Sequence, residues 1–212
     1  MLLVCPELKE RKYPCAEWYQ EGGIMDADGH IREKEERTFS AADRIVAEVK
    51  NRTQAAGKII LFGHSAGGQF VHRWALLGGK KNVDVIAVAN SGWFTMPDRD
   101  IDYPYGIKNV GITDEELGEA FAKPVILFMG EKDVERKPPF RDTPEADAQG
   151  MNRMERCMNY FRQCKAKAEE LRVPFRWKLE TVEGAAHQGV KMAEGAAAYI
   201  FGKSSEDGNR RV

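Results

Sequence analysis

A serine between two glycines, in the stretch Gly63-His64-Ser65-Ala66-Gly67, is the part of the chain best suited to chemistry. A strand-like run, Lys58-Ile59-Ile60-Leu61-Phe62, precedes it, and a helix-like run from Gln69 to Leu77 follows it. A G-x-S-x-G sequence at a strand-to-helix turn lifts the serine hydroxyl above a sheet, where it can act as a nucleophile. The amide of Ala66, at the start of the helix, can face an oxyanion that develops on an attacked carbonyl. The sequence therefore predicts Ser65 as nucleophile and Ala66 as oxyanion donor, with a plain glycine-rich turn as the alternative interpretation.

A serine nucleophile needs a base, and the chain contains four histidines. His187 lies in a loop of small residues after the last strand-like run, which ends at Val182. This position would bring an imidazole to the same sheet edge as the serine, so we predict His187 as the base. The side chain of His64 is expected to leave the turn in another direction. The remaining two histidines fit a packed or exposed helix position and a polar turn, respectively: His72 and His30.

The base needs an acid that orients it, and the acid should follow another strand. Val125-Ile126-Leu127-Phe128-Met129 is the most apolar run in the chain, which is typical of a parallel strand buried on both faces. Asp133 follows this run and is the predicted acid, with Glu135 as the second choice. Glu131 fits a solvated turn better. The resulting chain order of serine, acid and histidine differs from the chymotrypsin and subtilisin orders.

These residues need a scaffold, and the hydrophobic patterning predicts alternating strands and helices. Alternation of this kind indicates a mainly parallel sheet flanked by helices, the α/β fold class. The predicted strands are Leu2 to Cys5, Lys58 to Phe62, Val83 to Ala89, Val125 to Met129 and Phe175 to Val182. The predicted helices are Ser40 to Arg52, Ala66 to Leu77, Asp114 to Phe121, Pro144 to Leu171 and Val190 to Phe201.

Length and composition limit the remaining possibilities. The 212 residues suit one α/β domain, predicted over residues 1–203, with a polar tail at 204–212 that we expect to be disordered. A net charge of −1 gives no electrostatic case for a nucleic-acid partner or an anionic membrane. No apolar run is long enough for a membrane span, and no signal peptide is visible, so we expect a cytoplasmic location. The four cysteines lack zinc-type spacing, and no metal or cofactor is predicted.

Taken together, these segments resemble α/β-hydrolases, and in particular bacterial serine hydrolases related to polyhydroxyalkanoate-depolymerase-like and feruloyl-esterase-like enzymes. The resemblance implies a catalytic triad of Ser65, Asp133 and His187. It also implies that three aromatic residues line the mouth of the site and bind substrate, although each of them also fits ordinary packing: Trp93, Phe94 and Tyr105. The matching segments are Gly63 to Arg73, Ala89 to Pro97, Tyr103 to Gly106 and Gln149 to Arg153.

The chain departs from that family at its N-terminus, where Met1 runs straight into the strand-like Leu2 to Cys5. Such hydrolases carry earlier strands and a loop with a second oxyanion donor. We therefore expect an N-terminally truncated hydrolase, with a reduced protein of rearranged sheet as the alternative. An unpaired edge along Lys58 to Phe62 predicts poor solubility, and losing one oxyanion donor predicts turnover lower by about 10²–10³.

The sequence thus predicts a serine hydrolase that acts on a small-molecule carboxylic ester through an acyl-enzyme. Amide hydrolysis and acyl transfer use the same triad and stay open. The alternative from another class is a non-catalytic hydrolase-like domain that binds a ligand or partner, which the missing oxyanion loop favours and the three triad residues oppose.

Overall fold

A computed structural model describes residues 2–53, 57–79 and 83–202 of the chain. Within these residues, helices and strands alternate along most of the chain, as the patterning predicts. The strands are β1 (Ile60–His64), β2 (Val85–Ala89), β3 (Val125–Gly130) and β4 (Lys178–Val182). The helices are α1 (Ala16–Tyr19), α2 (Thr38–Thr53), α3 (Ala66–Leu77), α4 (Asp114–Phe121), α5 (Pro144–Asp147), α6 (Arg153–Glu170) and α7 (Gly189–Gly202).

The four described strands form one parallel sheet in the order β1-β2-β3-β4. Each strand pairs with the next one in sequence, so all the carboxyl ends meet at one edge. β3 lies inside the sheet and every one of its residues is buried, which explains why it is the most apolar run in the chain. The fold class is therefore α/β with a parallel sheet, as predicted.

Helices cover both faces of the sheet, and alternate residues of a strand point to opposite layers. In β2, Ala87 and Ala89 pack toward α7, where Met192 and Ala196 complete a small core. Ile86 and Val88 point the other way, into the larger core that includes residues of α3, α4 and α6. Small residues in β2 allow α7 to approach the sheet, and this brings the loop before α7 to the sheet edge.

The predicted strand Leu2 to Cys5 is wrong: these residues have no strand structure and their side chains are exposed, Leu3 by 78%. A run of four residues followed by Pro6, which lacks an amide donor, can form only a very short ladder. Among the described strands, β1 is consequently an edge strand, paired only with β2.

The single helix predicted from Pro144 to Leu171 is two helices, α5 and α6, with a break between them. The backbone at Gly150 has φ of +147°, and a Cβ there would lie 2.8 Å from the amide nitrogen of Arg156. Asn152 then caps α6 by accepting from the amide of Glu155 at 2.9 Å. The break fixes where α6 begins, and thereby places Arg153 at its first position.

Other sequence predictions concern the chain ends and membranes. The predicted tail at 204–212 and the domain boundary at residue 203 lie outside the described residues. None of the helices within the described ranges has both the length and the apolar character that a bilayer span requires.

Candidate active site

Ser65 lies on a sharp turn between the end of β1 and the start of α3. Its backbone has φ of 55° and ψ of −115°, a conformation that costs free energy in a residue other than glycine. The turn is held because the Ser65 amide donates to the carbonyl of Ala89 at 3.0 Å and the Gln69 amide donates to the Ser65 carbonyl at 2.9 Å. The hydroxyl is therefore presented at the carboxyl edge of the sheet.

Two glycines make this turn sterically possible. A Cβ on Gly63 would lie 2.3 Å from the carbonyl oxygen of Gly67, and one on Gly68 would lie 2.8 Å from the carbonyl oxygen of Ala89. A Cβ on Gly67 would meet only the hydroxyl of Tyr19, at 3.4 Å. The close approach of β1, α3 and β2 therefore requires glycine at 63 and 68, whereas position 67 of the motif has room for a Cβ.

The residue predicted as base, His187, lies within hydrogen-bond distance of both the predicted nucleophile and the predicted acid. Nε2 of His187 is 2.9 Å from Oγ of Ser65, and Nδ1 of His187 is 2.7 Å from Oδ2 of Asp133. Asp133 follows β3, His187 follows β4, and Ser65 follows β1, so the shared sheet edge brings them together. Asp133 is only 3% exposed, whereas the His187 ring is 26% exposed and reachable from solvent.

The competing acids lie elsewhere. Glu135 pairs through its exposed carboxylate with Lys137 at 2.9 Å. Glu131 accepts from the amide of Gly184 at 2.8 Å and so ties the loop after β3 to the turn after β4. Of these three carboxylates, the one that meets His187 is Asp133.

Asn90 joins the ends of two strands to the His187 loop, a contribution that sequence reasoning missed. Its Oδ1 accepts from the amide of Gly130 at 2.7 Å, and its Nδ2 donates to the carbonyl of Ala186 at 3.0 Å. Its backbone has φ of 45°, in the left-handed region that asparagine tolerates better than most residues. Because Ala186 precedes His187, Asn90 helps fix the position of the imidazole. The signal was its place directly after an apolar strand.

The prediction that the His64 side chain points away from the site is wrong. Its ring packs beside that of His187, with ring centroids 4.8 Å apart. Nε2 of His64 is buried and has no hydrogen-bond partner. Burial, and next the nearby His187, lower the pKa of His64 to about 4. A neutral ring at 64 therefore borders the base without adding a second positive charge.

His72 is a structural residue of α3, and of the packed and exposed positions that the sequence allows for it, the packed one is observed. Its Nδ1 donates to the carbonyl of Gly68 at 3.0 Å, and its Nε2 accepts from the amide of Thr95 at 3.1 Å. Both contacts suit a neutral imidazole, and complete burial holds the pKa of His72 well below its usual value. The ring thereby connects α3 to the loop after β2.

The lowered pKa of His64 predicts a loss of stability in mild acid. In the unfolded chain a histidine binds a proton near pH 6.5, whereas folded His64 resists protonation down to about pH 4. The free energy of unfolding should therefore fall between these pH values, with a His64 share of about 1 kcal/mol after allowance for partial exposure of the ring. Urea unfolding at pH 7 and pH 4.5 should show a smaller decrease in His64→Phe than in the wild type. An equal decrease in both proteins would contradict the assignment, since His72 contributes equally to each.

Two of the three aromatic residues predicted at the mouth form a cluster with arginines. The Trp93 ring is buried, with the Arg73 guanidinium 4.1 Å and the Arg141 guanidinium 4.6 Å from its centroid. Tyr105 is partly exposed, lies 4.7 Å from Trp93 between ring centroids, and accepts from Nε of Arg141 at 2.7 Å. Tyr105 and Arg141 are the accessible members of this cluster.

Phe94 lies in the core instead of at the mouth. It is 0% exposed, stacks on Tyr160 with centroids 4.5 Å apart, and contacts the His72 ring. No face of its ring is open to a substrate. Its apolar type fits a core position equally well, which is why sequence alone did not separate the two roles.

In the part of the chain that the structure describes, one group of side chains has spacing that could suit a metal ion: Asp26, Asp28 and His30. Asp26 already accepts from the amides of Asp28 and His30 at 3.0 and 2.8 Å, as an ordinary polar turn does. The placement agrees with the predicted turn around His30. We assign no ion to it.

Solved structures that share this fold over most of the chain include two that are at least 30% identical to it. Poly(aspartic acid) hydrolase-1 from Sphingomonas sp. KT-1 is 32% identical, with a TM-score of 0.86, and the match covers 92% of this chain and 75% of that one. LpqC, a poly(3-hydroxybutyrate) depolymerase from Bordetella parapertussis, is 30% identical, with a TM-score of 0.85, and the match covers 93% of this chain and 68% of that one. Neither a protein-family model nor a curated protein matches the sequence.

The parallel sheet and these similarities define the class of protein: the chain belongs to the α/β-hydrolase superfamily. Both neighbours are named for the breakdown of a polymer, poly(aspartic acid) in one and poly(3-hydroxybutyrate) in the other. A hydrolase is accordingly the kind of activity that the fold and its relatives support.

Proposed function

We propose that the chain is a serine hydrolase that cleaves a carboxylic ester through an acyl-enzyme, with Ser65 as nucleophile, His187 as base and Asp133 as acid. The single observation that carries this proposal is the continuous hydrogen-bonded path from Asp133 through His187 to Ser65, with distances of 2.7 and 2.9 Å. Both distances already lie in the range needed for proton transfer. The strained backbone of Ser65 adds support, because such strain concentrates at functional sites.

In the acylation step, the Ser65 oxygen attacks the ester carbonyl carbon while Nε2 of His187 takes the hydroxyl proton. The carbonyl oxygen becomes an oxyanion in the tetrahedral intermediate. When the intermediate collapses, the bond to the alcohol oxygen breaks, and the protonated His187 returns the proton to that oxygen. The alcohol leaves, and the acyl group stays on Ser65.

In the deacylation step, a water molecule takes the place of the alcohol. His187 removes its proton, the resulting hydroxide attacks the acyl carbon, and Ser65 leaves with the proton from His187. The carboxylic acid is released and the enzyme returns to its starting state. The exposed fraction of the His187 ring leaves room for this water to approach.

Asp133 and Ala66 stabilise the charges that develop on His187 and on the substrate oxygen, respectively, during both steps. The carboxylate of Asp133 accepts from Nδ1–H of His187, which leaves Nε2 free to act as base and favours the imidazolium once it forms. The Ala66 amide belongs to the first turn of α3, where amides have no intrahelical acceptor. We assign it as an oxyanion donor, assisted by the helix dipole.

We propose that the substrate contacts the accessible side chains of Tyr105 and Arg141, which pack against the buried ring of Trp93. A neutral small-molecule ester with an apolar or aromatic portion suits an aromatic surface of this kind. The two relatives are named for different bonds, so ester and amide must be separated by experiment.

A matched pair of substrates with the same acyl group, a p-nitrophenyl ester and a p-nitroanilide, tests the proposal. We expect the ester to be hydrolysed with saturation kinetics and the anilide at a much lower rate, with no hydrolysis above background in Ser65→Ala. Hydrolysis of the anilide at an equal rate, together with cleavage of poly(aspartate), would move the assignment to an amidase. A folded wild type that turns over neither compound nor any other member of an ester panel would contradict the enzyme assignment in favour of a binding domain.

A further inference from the structure

The two oxygens of Asp133 have different partners. Oδ2 lies 2.7 Å from Nδ1 of His187, whereas Oδ1 accepts from Nη1 of Arg153 at 3.3 Å. Both Asp133 and Arg153 are almost fully buried, with 3% and 5% of their surface exposed. The carboxylate of the proposed acid is therefore half of a buried ion pair that the triad scheme does not use.

Arg153 is itself held firmly. Nη1 donates to the carbonyl of Glu135 at 3.4 Å and Nη2 to the carbonyl of Pro139 at 2.6 Å. The guanidinium also lies 5.0 Å from the centroid of the Phe140 ring. Since Arg153 is the first residue of α6, it joins the loop that carries Asp133 to the start of that helix.

A buried carboxylate needs a compensating charge or it becomes costly to keep ionised. In the resting state the proposed base must be neutral, so His187 supplies one hydrogen bond and no charge. The neighbouring His64 is neutral as well, given its lowered pKa. Arg153 is the group that supplies positive charge to Asp133 at contact distance.

We propose that Arg153 is a positioning residue for the hydrolytic site, which pairs with the Asp133 carboxylate and orients it so that Oδ2 faces His187. This inference rests on the proposed function, because it assigns a task to the triad acid. It goes beyond the triad by making activity depend on a side chain that touches neither substrate nor nucleophile.

The charge of Arg153 also determines in which direction the acidic limb of the pH–rate profile should move when the charge is removed. The groups that face the acid and the base are Arg153 from α6, His64 from β1, and Ser65 at the start of α3. Removing the positive charge would favour protonation of the Asp133–His187 pair, because the negative charge would lose its compensation. The acidic limb of the pH–rate profile would then move to higher pH.

The test compares Arg153→Met and Arg153→Lys with a matched control, Arg136→Met. Arg136 contacts the same Phe140 ring, at 4.8 Å, but pairs with Asp147 and not with Asp133. The readouts are the rate of fluorophosphonate labelling from pH 5 to 9, and the low-field proton resonance of the His187 Nδ1–H in the NMR spectrum.

We expect Arg153→Met to lower labelling by about 10²-fold, as misplacement of a triad member does, and to move its acidic limb to higher pH. Arg153→Lys keeps the charge and should keep the wild-type limb, at an intermediate rate. Arg136→Met should label like the wild type. If Arg153→Met does not fold, Arg153→Lys decides the question. A shifted acidic limb in its pH–rate profile would overturn the proposal, and a wild-type acidic limb with a reduced labelling rate would support it.

Failure of this inference is distinguishable from failure of the proposed function. Suppose that the wild type reacts with the fluorophosphonate and that Arg153→Met reacts at the same rate, with the same acidic limb in its pH–rate profile. This result would overturn the positioning role alone. A folded wild type that does not label would overturn the hydrolase assignment. The NMR resonance then decides the positioning role: its loss in Arg153→Met, but not in Arg136→Met, would support it, and its persistence in both would overturn it.

Discussion

Replacement of Ser65 by alanine is expected to lower the turnover of an ester by about 10⁶, the loss that removal of a triad nucleophile causes. The hydroxyl is the only group that forms the acyl bond in the proposed scheme, and no neighbouring hydroxyl contacts Nε2 of His187 among the described residues. The change removes one small polar atom, so the free energy of unfolding should stay nearly the same. Initial rates on a p-nitrophenyl ester and urea unfolding curves measure the two effects.

Ser91→Ala is the matched control for this experiment. Ser91 is also a buried serine close to the turn at Ser65, and its hydroxyl lies near Gly68. It makes no hydrogen bond to His187. This variant should keep wild-type turnover. If Ser65→Ala hydrolyses the ester at a rate near that of the wild type, the nucleophile is misassigned or the activity comes from a contaminant.

Replacement of Asp133 by asparagine is expected to lower turnover by about 10⁴. An amide has no charge to favour the imidazolium, and its NH₂ group can turn toward Nδ1 and impose the wrong tautomer on His187. The same change leaves the buried guanidinium of Arg153 without its carboxylate, so the free energy of unfolding should fall too. Steady-state kinetics above the midpoint of the acidic limb, with a thermal melt of each variant, measure both effects.

Glu135→Gln is the control, because Glu135 is the other acid that the sequence allows. Its carboxylate pairs with Lys137 at the surface, so both turnover and stability should stay close to the wild type. The reverse pattern, with loss of activity in Glu135→Gln and normal turnover in Asp133→Asn, would show that the loop rearranges in solution and that Glu135 is the acid.

Local sequence patterns were sufficient to locate Ser65 and the strands around it. The proposed nucleophile is specified by a short motif and by the apolar run before it, and both are properties of adjacent residues. β3 was recognisable because a strand buried on both faces must be apolar throughout. The chain order and the shared edge of a parallel sheet then led to Asp133 and His187 without knowledge of any contact.

Contacts between distant segments were not predictable in this way. Arg153 is 20 residues from Asp133 in sequence, and its role depends on the helix break at Gly150, which hydrophobic periodicity did not reveal. His64 packs beside His187 across 123 positions of the chain, a contact that no local sequence pattern specifies. Phe94 was misplaced because apolar character alone does not separate a core position from a binding surface.

The account depends most directly on Ser65 being the nucleophile that His187 activates. The measurement that tests it is peptide mapping by mass spectrometry after reaction of the folded chain with a fluorophosphonate. We predict a single adduct on the peptide that contains Ser65, its absence in Ser65→Ala, and a strongly reduced rate in His187→Ala. An adduct on another residue, or a folded protein that remains unmodified after prolonged exposure, would contradict the account.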